Sequence, residues 1–219
     1  LISAVSETTW TLSGLENERT FHVSVAVATD DSLIGTATEE WTAMPMPLIV
    51  RPIPIGTRWN LVALPVRPVD SSTAVLFATA VAGPFAYDGG EYTTPNVVRQ
   101  GTGYWVKYAS PGEILVSGFE STADSILVSP GWNLIGSMIR PVAVATIASD
   151  PPEMQTSAFF GYHGKYEVSD TLRPGEGYWV KTEQAGVLFL NAGGHIEQKG
   201  AIRIRLDSDR PPLPRRRAE

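Results

Sequence analysis

The chain of 219 residues contains no cysteine, which excludes disulfides, cysteine-ligated zinc and a thiol nucleophile. It is also poor in charge. Asp, Glu, Lys and Arg make up 18%, below the usual quarter, and a net charge of −6 gives no electrostatic reason to expect nucleic acid. The three histidines, His22, His163 and His195, lack metal-ligand spacing. No apolar run approaches the length of a membrane span, and the most apolar stretch, Met46 to Ile55, is cut by prolines. No Ser sits in a Gly-x-Ser-x-Gly elbow, and Asp207-x-Asp209 lacks the glycine and distal glutamate of a calcium loop. The first residue is Leu1, with no basic-then-apolar leader after it. The expectation is a piece of something longer, with any export signal or anchor outside it.

What the chain has instead is glycine (20) and proline (17), which suits many short strands joined by turns. It also has a duplication. Tyr104-Trp105-Val106-Lys107 returns as Tyr178-Trp179-Val180-Lys181, 74 positions later, each preceded by a Gly-x-Gly (Gly101 and Gly103; Gly175 and Gly177). Upstream, Trp59-Asn60-Leu61-Val62 returns as Trp132-Asn133-Leu134-Ile135, 73 positions later. Two anchors at nearly one offset mean two copies of one unit, and a period above 70 residues is too long for a solenoid repeat.

In chain order, Thr20 to Val27 alternates apolar and polar residues as a half-buried strand does. Thr9-Trp10-Thr11-Leu12 before it and Thr36 to Thr42 after it read as further strands, and Met44-Pro45-Met46-Pro47 as a linker. In the first copy, Ser72-Thr73 opens a short helix over Ala74 to Ala80, and Phe85-Ala86-Tyr87, Asp88-Gly89-Gly90 and Tyr92 form a hairpin. The second copy restates this order, with a helix over Val142 to Ala148 and a hairpin from Phe159 to Tyr166 turning at His163-Gly164. Each copy is near the size where a core is marginal, so the two are expected to pack together. Ala201 to Leu206 reads as a last strand, before the extended Asp209-Arg210-Pro211-Pro212-Leu213-Pro214-Arg215-Arg216-Arg217. The fold class is all-β. The expected domains are residues 1–46, 47–120 and 121–192, with a strand-like segment and Pro/Arg-rich tail at 193–219.

Trp10 to Phe21 resembles the back half of a fibronectin type III domain, in which a Leu precedes by six residues a Tyr that opens a central strand. Here the pair is Leu15 and Phe21, with Asn17 where proline is usual. The resemblance implies the last three strands of a sandwich, completed by residues upstream of Leu1. The pattern of Trp-Asn-Leu-Ile-Gly, a Phe-x-Tyr hairpin and Gly-Tyr-Trp-Val-Lys resembles a module of large secreted and surface proteins of environmental bacteria. That implies an extracellular or cell-surface location.

The repeated aromatics and lysines are the ligand candidates: Tyr104, Trp105, Lys107, Tyr178, Trp179 and Lys181. Rings on a β surface can stack on sugars, with Asn60 and Asn133 adding hydrogen bonds. Neighbours in a strand face opposite ways, so one member of each Tyr-Trp pair is expected buried and the other exposed. Trp59 and Trp132, inside apolar runs, are expected in the core. Asp88, Glu91, Glu113 and Glu183 could pair as glycosidase carboxylates, but none recurs between the copies. No catalytic residue, metal or cofactor is expected. The Pro-Pro-Leu-Pro-Arg-Arg run fits a polyproline ligand with a trailing arginine, and is read as a spacer for want of a reader. The chain thus reads as a non-catalytic structural, adhesion or spacer region of a secreted or cell-surface protein. Its partners would be other domains of the same chain, and a polysaccharide or cell-surface ligand. The alternative is a carbohydrate-binding accessory module of an extracellular polysaccharide-degrading enzyme.

Overall fold

Short strands punctuated by glycine and proline leave little room for helix, and the computed structural model is all-β with one four-residue α-helix. It describes residues 12, 14–17, 19–26, 28–29, 32–33, 35–192 and 211–212. The chain divides after Pro47 into two compact units.

In the first unit, β1 (Phe21–Val23) pairs antiparallel with β4 (Trp41–Ala43), and β2 (Ala28–Thr29) with β3 (Ser32–Leu33). Both expected strands are shorter than their sequence patterns. Residues 24–26 and 36–40 are not strand, although Val25 and Thr38 still exchange hydrogen bonds. Trp41 is 76% exposed. Most of the expected strand at Thr9 to Leu12 lies outside the described residues. So do His195, Asp207-x-Asp209, the Ala201–Leu206 strand and the tail on either side of Pro211-Pro212.

The first repeat comprises β5 (Leu48–Ile55), β6 (Arg58–Ala63), β7 (Arg67–Pro68), α1 (Thr73–Leu76), β8 (Ala82–Asp88), β9 (Glu91–Thr93), β10 (Gly103–Tyr108) and β11 (Gly112–Phe119). They form a four-stranded sheet in the order β6-β10-β8-β9 and a three-stranded sheet in the order β5-β11-β7. Side chains alternating off β5, β6, β10 and β11 fill the space between the sheets: Ile53, Ile55, Val62, Tyr104, Val106, Ile114 and Val116. Proline is tolerated in β5 because that strand is an edge. Pro52 and Pro54 are exposed, and each lacks a donor only on a strand with one neighbour. At Gly89-Gly90 both residues have positive φ, 57° and 89°, so Asp88 and Glu91 pair across a two-residue turn.

The second repeat comprises β12 (Ala123–Val128), β13 (Gly131–Gly136), β14 (Val142–Ala143), β15 (Ala148–Asp150), β16 (Phe159–Tyr162), β17 (Tyr166–Ser169), β18 (Thr171–Leu172), β19 (Gly177–Thr182) and β20 (Gly186–Asn191). Its sheets are β13-β19-β16-β17 and β12-β20-β15, with β14 paired to β18. Ile126, Ile135, Tyr178, Val180, Leu188 and Leu190 lie in its core.

The expected helices shrink. α1 covers one turn, with no side-chain hydrogen bond from its N-cap Ser72 and no charged residue complementing either end. The helix expected over Val142 to Ala148 is a correction: only Val144–Thr146 turn, as 3₁₀, between β14 and β15. Val142, Val144 and Ile147 are all buried in that repeat's core, so tertiary packing sets the local conformation.

The repeated asparagines turn inward to their own backbone. Asn60 donates to the carbonyls of Gly56 and Arg58 and accepts from the Gly56 N–H; Asn133 does the same with Ser129 and Gly131. They lock the turns entering β6 and β13, and their offer as ligand donors is withdrawn. That turn needs a left-handed residue. Gly131 supplies it with φ 94°, whereas its counterpart Arg58 holds φ 73° with a Cβ in the way. Replacing Arg58 by Gly should therefore raise stability by about 1 kcal/mol, the relief of strain less the added chain entropy. Urea unfolding would read it.

The two repeats meet around a pseudo-two-fold axis. The Ala63 N–H donates to the Gly175 carbonyl at 3.0 Å, and the equivalent Gly136 N–H to the Gly101 carbonyl at 2.9 Å. Gly101 and Gly175 have positive φ, 81° and 84°. The second glycine of each Gly-x-Gly has a different role, because a Cβ on Gly103 would sit 2.7 Å from the Ile135 carbonyl oxygen. One on Gly177 would sit 3.1 Å from the Val62 carbonyl. Gly103→Ala should accordingly destabilise by roughly 1–3 kcal/mol through the repeat interface, again measured by urea unfolding.

Candidate functional site

Strand alternation places Tyr104, Val106 and Tyr108 on the inner face of β10, and Gly103, Trp105 and Lys107 on the other. In β19 the inner residues are Tyr178 and Val180, with Gly177, Trp179 and Lys181 opposite. In most antiparallel sandwiches that second face is wet. Here it is covered by the other repeat. Tyr104 and Trp105 are 2% and 0% exposed, and Tyr178 and Trp179 are 1% and 0%. The expectation of one exposed member in each pair is corrected: all four rings are buried, and none is a surface platform.

The tyrosines of each pair hold the loop that precedes their strand. Tyr104 Oη accepts from the Arg99 N–H at 2.9 Å, and Tyr178 Oη from the Arg173 N–H at 2.8 Å. Tyr178 also donates to the Glu176 carboxylate at 2.7 Å. Lys107 is exposed with Nζ 6.0 Å from the Trp59 ring centroid, at the outer limit of a cation–π contact. Lys181 is half-buried in the matching place, and its N–H donates to Ser157 Oγ at 2.8 Å. Trp59 and Trp132 are half-buried at the rim of the interface, in neither repeat's core.

The tryptophans are exchanged between the repeats. Trp105 packs edge-on against Tyr162 (4.7 Å between centroids) and Tyr166 (6.3 Å) of the second repeat. Trp179 packs in the same way against Tyr87 (4.8 Å) and Tyr92 (6.4 Å) of the first. Each also meets its own repeat's Trp59 or Trp132 at 6.1 Å. Leu61 and Leu134 complete this third cluster, and Phe85 and Phe160 flank it. Edge-to-face pairs contribute about 0.5–1.5 kcal/mol each beyond the area they bury.

The two hairpin tyrosines, Tyr92 and Tyr166, converge on one atom. Both phenols donate to the Pro212 carbonyl oxygen, at 2.9 Å and 2.6 Å. Pro211 is buried and Pro212 half-buried. These two tail residues, expected in an open spacer, sit in a cleft between the repeats. The Trp105 N–H lies beside the Tyr92 oxygen and the Trp179 N–H beside that of Tyr166. Both indole donors are buried, and their geometry toward the phenol oxygens falls short of a well-formed hydrogen bond. Sequence reasoning passed over Tyr92 and Tyr166; their place beyond matching hairpin turns was the available signal.

Asp88, Glu91, Glu113 and Glu183 are all exposed; Asp88 and Glu91 flank the first hairpin turn, Glu113 lies on β11 and Glu183 in the bend after β19. Among the described residues no group of three or more His, Asp or Glu side chains is placed to hold a metal. Among the described residues no helix is long and apolar enough to cross a membrane. A shallow depression lined by Arg67, Val98, Arg99, Gln100 and Asp124 lies away from the aromatic cleft. Comparison with family models, with curated proteins and with solved structures found no match.

Burial raises the pKa of Tyr92, Tyr104, Tyr166 and Tyr178, and pushes that of Tyr108 up to about 12. A phenol whose pKa is higher folded than unfolded favours folding most below the unfolded value of 10.0. That contribution falls as pH rises from there through the folded value. The chain should therefore lose stability above pH 10. These five phenols should ionise together with unfolding, so their phenolate absorbance should rise where tryptophan emission shifts to the red.

Proposed function

We propose that this chain is a non-catalytic spacer and docking region of a larger secreted or cell-surface protein. A segment like the end of a fibronectin type III domain precedes a rigid body made of two modules. The observation that carries the reading is the reciprocal exchange of Trp105 and Trp179. It welds the repeats into one body, and it assigns to packing the very motif that the chain writes twice. A unit that must hold a distance needs such a joint, since repeats hinged on a loose linker would not transmit orientation. The sequence likeness to modules of bacterial surface proteins supports the location. The buried state of all four Tyr and Trp rings weighs against the carbohydrate-binding alternative, which needs exposed rings on a common plane.

Equilibrium urea unfolding of the whole chain, followed by tryptophan emission, tests the reading. The two repeats should unfold in one transition, and glycan titration should leave the emission unchanged. Separate transitions for the two repeats would overturn the rigid body. A saturable glycan response abolished by replacing Trp59 and Trp132 with Ala would favour the carbohydrate-binding module instead.

A further inference from the structure

We infer that the cleft between the two aromatic hairpins is a binding site for proline-rich peptide, and that the chain's own Pro211-Pro212 is its resident ligand. The inference goes beyond the spacer reading and stands on different observations. Recognition of extended proline-rich segments needs aromatic walls and hydrogen-bond donors aimed at backbone carbonyls, because such a helix has no internal hydrogen bonds and projects its carbonyls outward. The cleft has both. Tyr92 and Tyr166 approach from the two hairpins and donate to both lone pairs of the Pro212 oxygen. Behind them stand Trp105 and Trp179, whose buried N–H groups face the Tyr92 and Tyr166 oxygens and leave the phenol protons directed at the cleft.

The occupant fits for reasons of its own. Proline fixes φ and lacks an N–H, so Pro211-Pro212 enters a buried cleft with little chain entropy to lose and no backbone donor to strand. Charge agrees with the assignment in sign. Residues 193–219 carry a net charge of +3, whereas residues 48–192, which build the cleft, carry −3. The tail thus acts as a tethered ligand that keeps the cleft filled, and free proline-rich peptide must compete with it.

The absence of native cysteine allows one cysteine, appended after Glu219, to carry a fluorophore on the full chain. Adding a peptide with the sequence of residues 209–217 should displace the tail and lower the fluorophore's anisotropy. Half-displacement is expected on the order of millimolar, the effective concentration of a tethered segment. A control peptide with alanine at the positions of Pro211 and Pro212 should leave the anisotropy unchanged. Full chain carrying Pro211→Ala and Pro212→Ala should bind labelled tail peptide at least tenfold more tightly than the unmodified chain. Adding Tyr92→Phe or Tyr166→Phe should weaken that binding by about three- to tenfold each, the effect of one lost hydrogen bond. The proposal is overturned if tail and control peptides act alike, or if the label does not respond to either. Those outcomes would leave a single unfolding transition, and hence the spacer reading, intact.

Discussion

Everything between residues 48 and 192 depends on how closely two backbones approach at Gly103 and Gly177. A Cβ at Gly103 would lie 2.7 Å from a carbonyl oxygen of the other repeat, and one at Gly177 would lie 3.3 Å from the Gly103 Cα. Only at that separation can the paired bonds from Ala63 and Gly136 form. Only then do Trp105 and Trp179 reach the opposite hairpins. The exchange of tryptophans is therefore a consequence of the glycines, and the contact is the self-complementary kind found in symmetric dimers, here within one chain.

Size explains why the second face must be covered. A module of about 70 residues buries too little surface to be secure on its own. Each repeat solves this by giving its four-stranded sheet two cores, one shared with its own smaller sheet and one shared with its twin. A sheet buried on both faces needs apolar residues at successive positions. Hence Leu61-Val62-Ala63-Leu64 and Tyr104-Trp105-Val106 run unbroken, where a half-wet strand would alternate.

That same feature limited what could be read from the sequence. The duplication, the glycine turns and both hairpins were legible, because Gly89-Gly90 and Gly164 mark positions that only a left-handed residue fills easily. Alternation correctly sent Tyr104 and Trp105 to opposite faces, but it does not say what lies against the second face. The burial of Trp105 rests on Tyr162 and Tyr166, more than 50 residues away. Asn60 looked available because its turn partner is the Gly56 backbone, which no side-chain pattern reports. Local pattern also favoured a helix at 142–148, where Val142, Val144 and Ile147 instead pack into the core of the second repeat. The proline run fits a polyproline pattern but reads as a spacer. Its reader was not legible, since each repeat carries only half of it.

A site assembled from two copies begins with a directional ambiguity. Perfect two-fold symmetry would let an extended peptide lie either way, with Tyr92 and Tyr166 interchangeable. The hairpin tips themselves differ between the copies. The first bears Asp88 and Glu91, whereas the second bears His163 and Lys165, with Lys165 held 3.1 Å from Glu167. The tail is itself asymmetric in sequence, with Asp209 before the prolines and Arg215-Arg216-Arg217 after them. Duplication thus supplies the carbonyl clamp, one phenol from each copy meeting on the Pro212 oxygen.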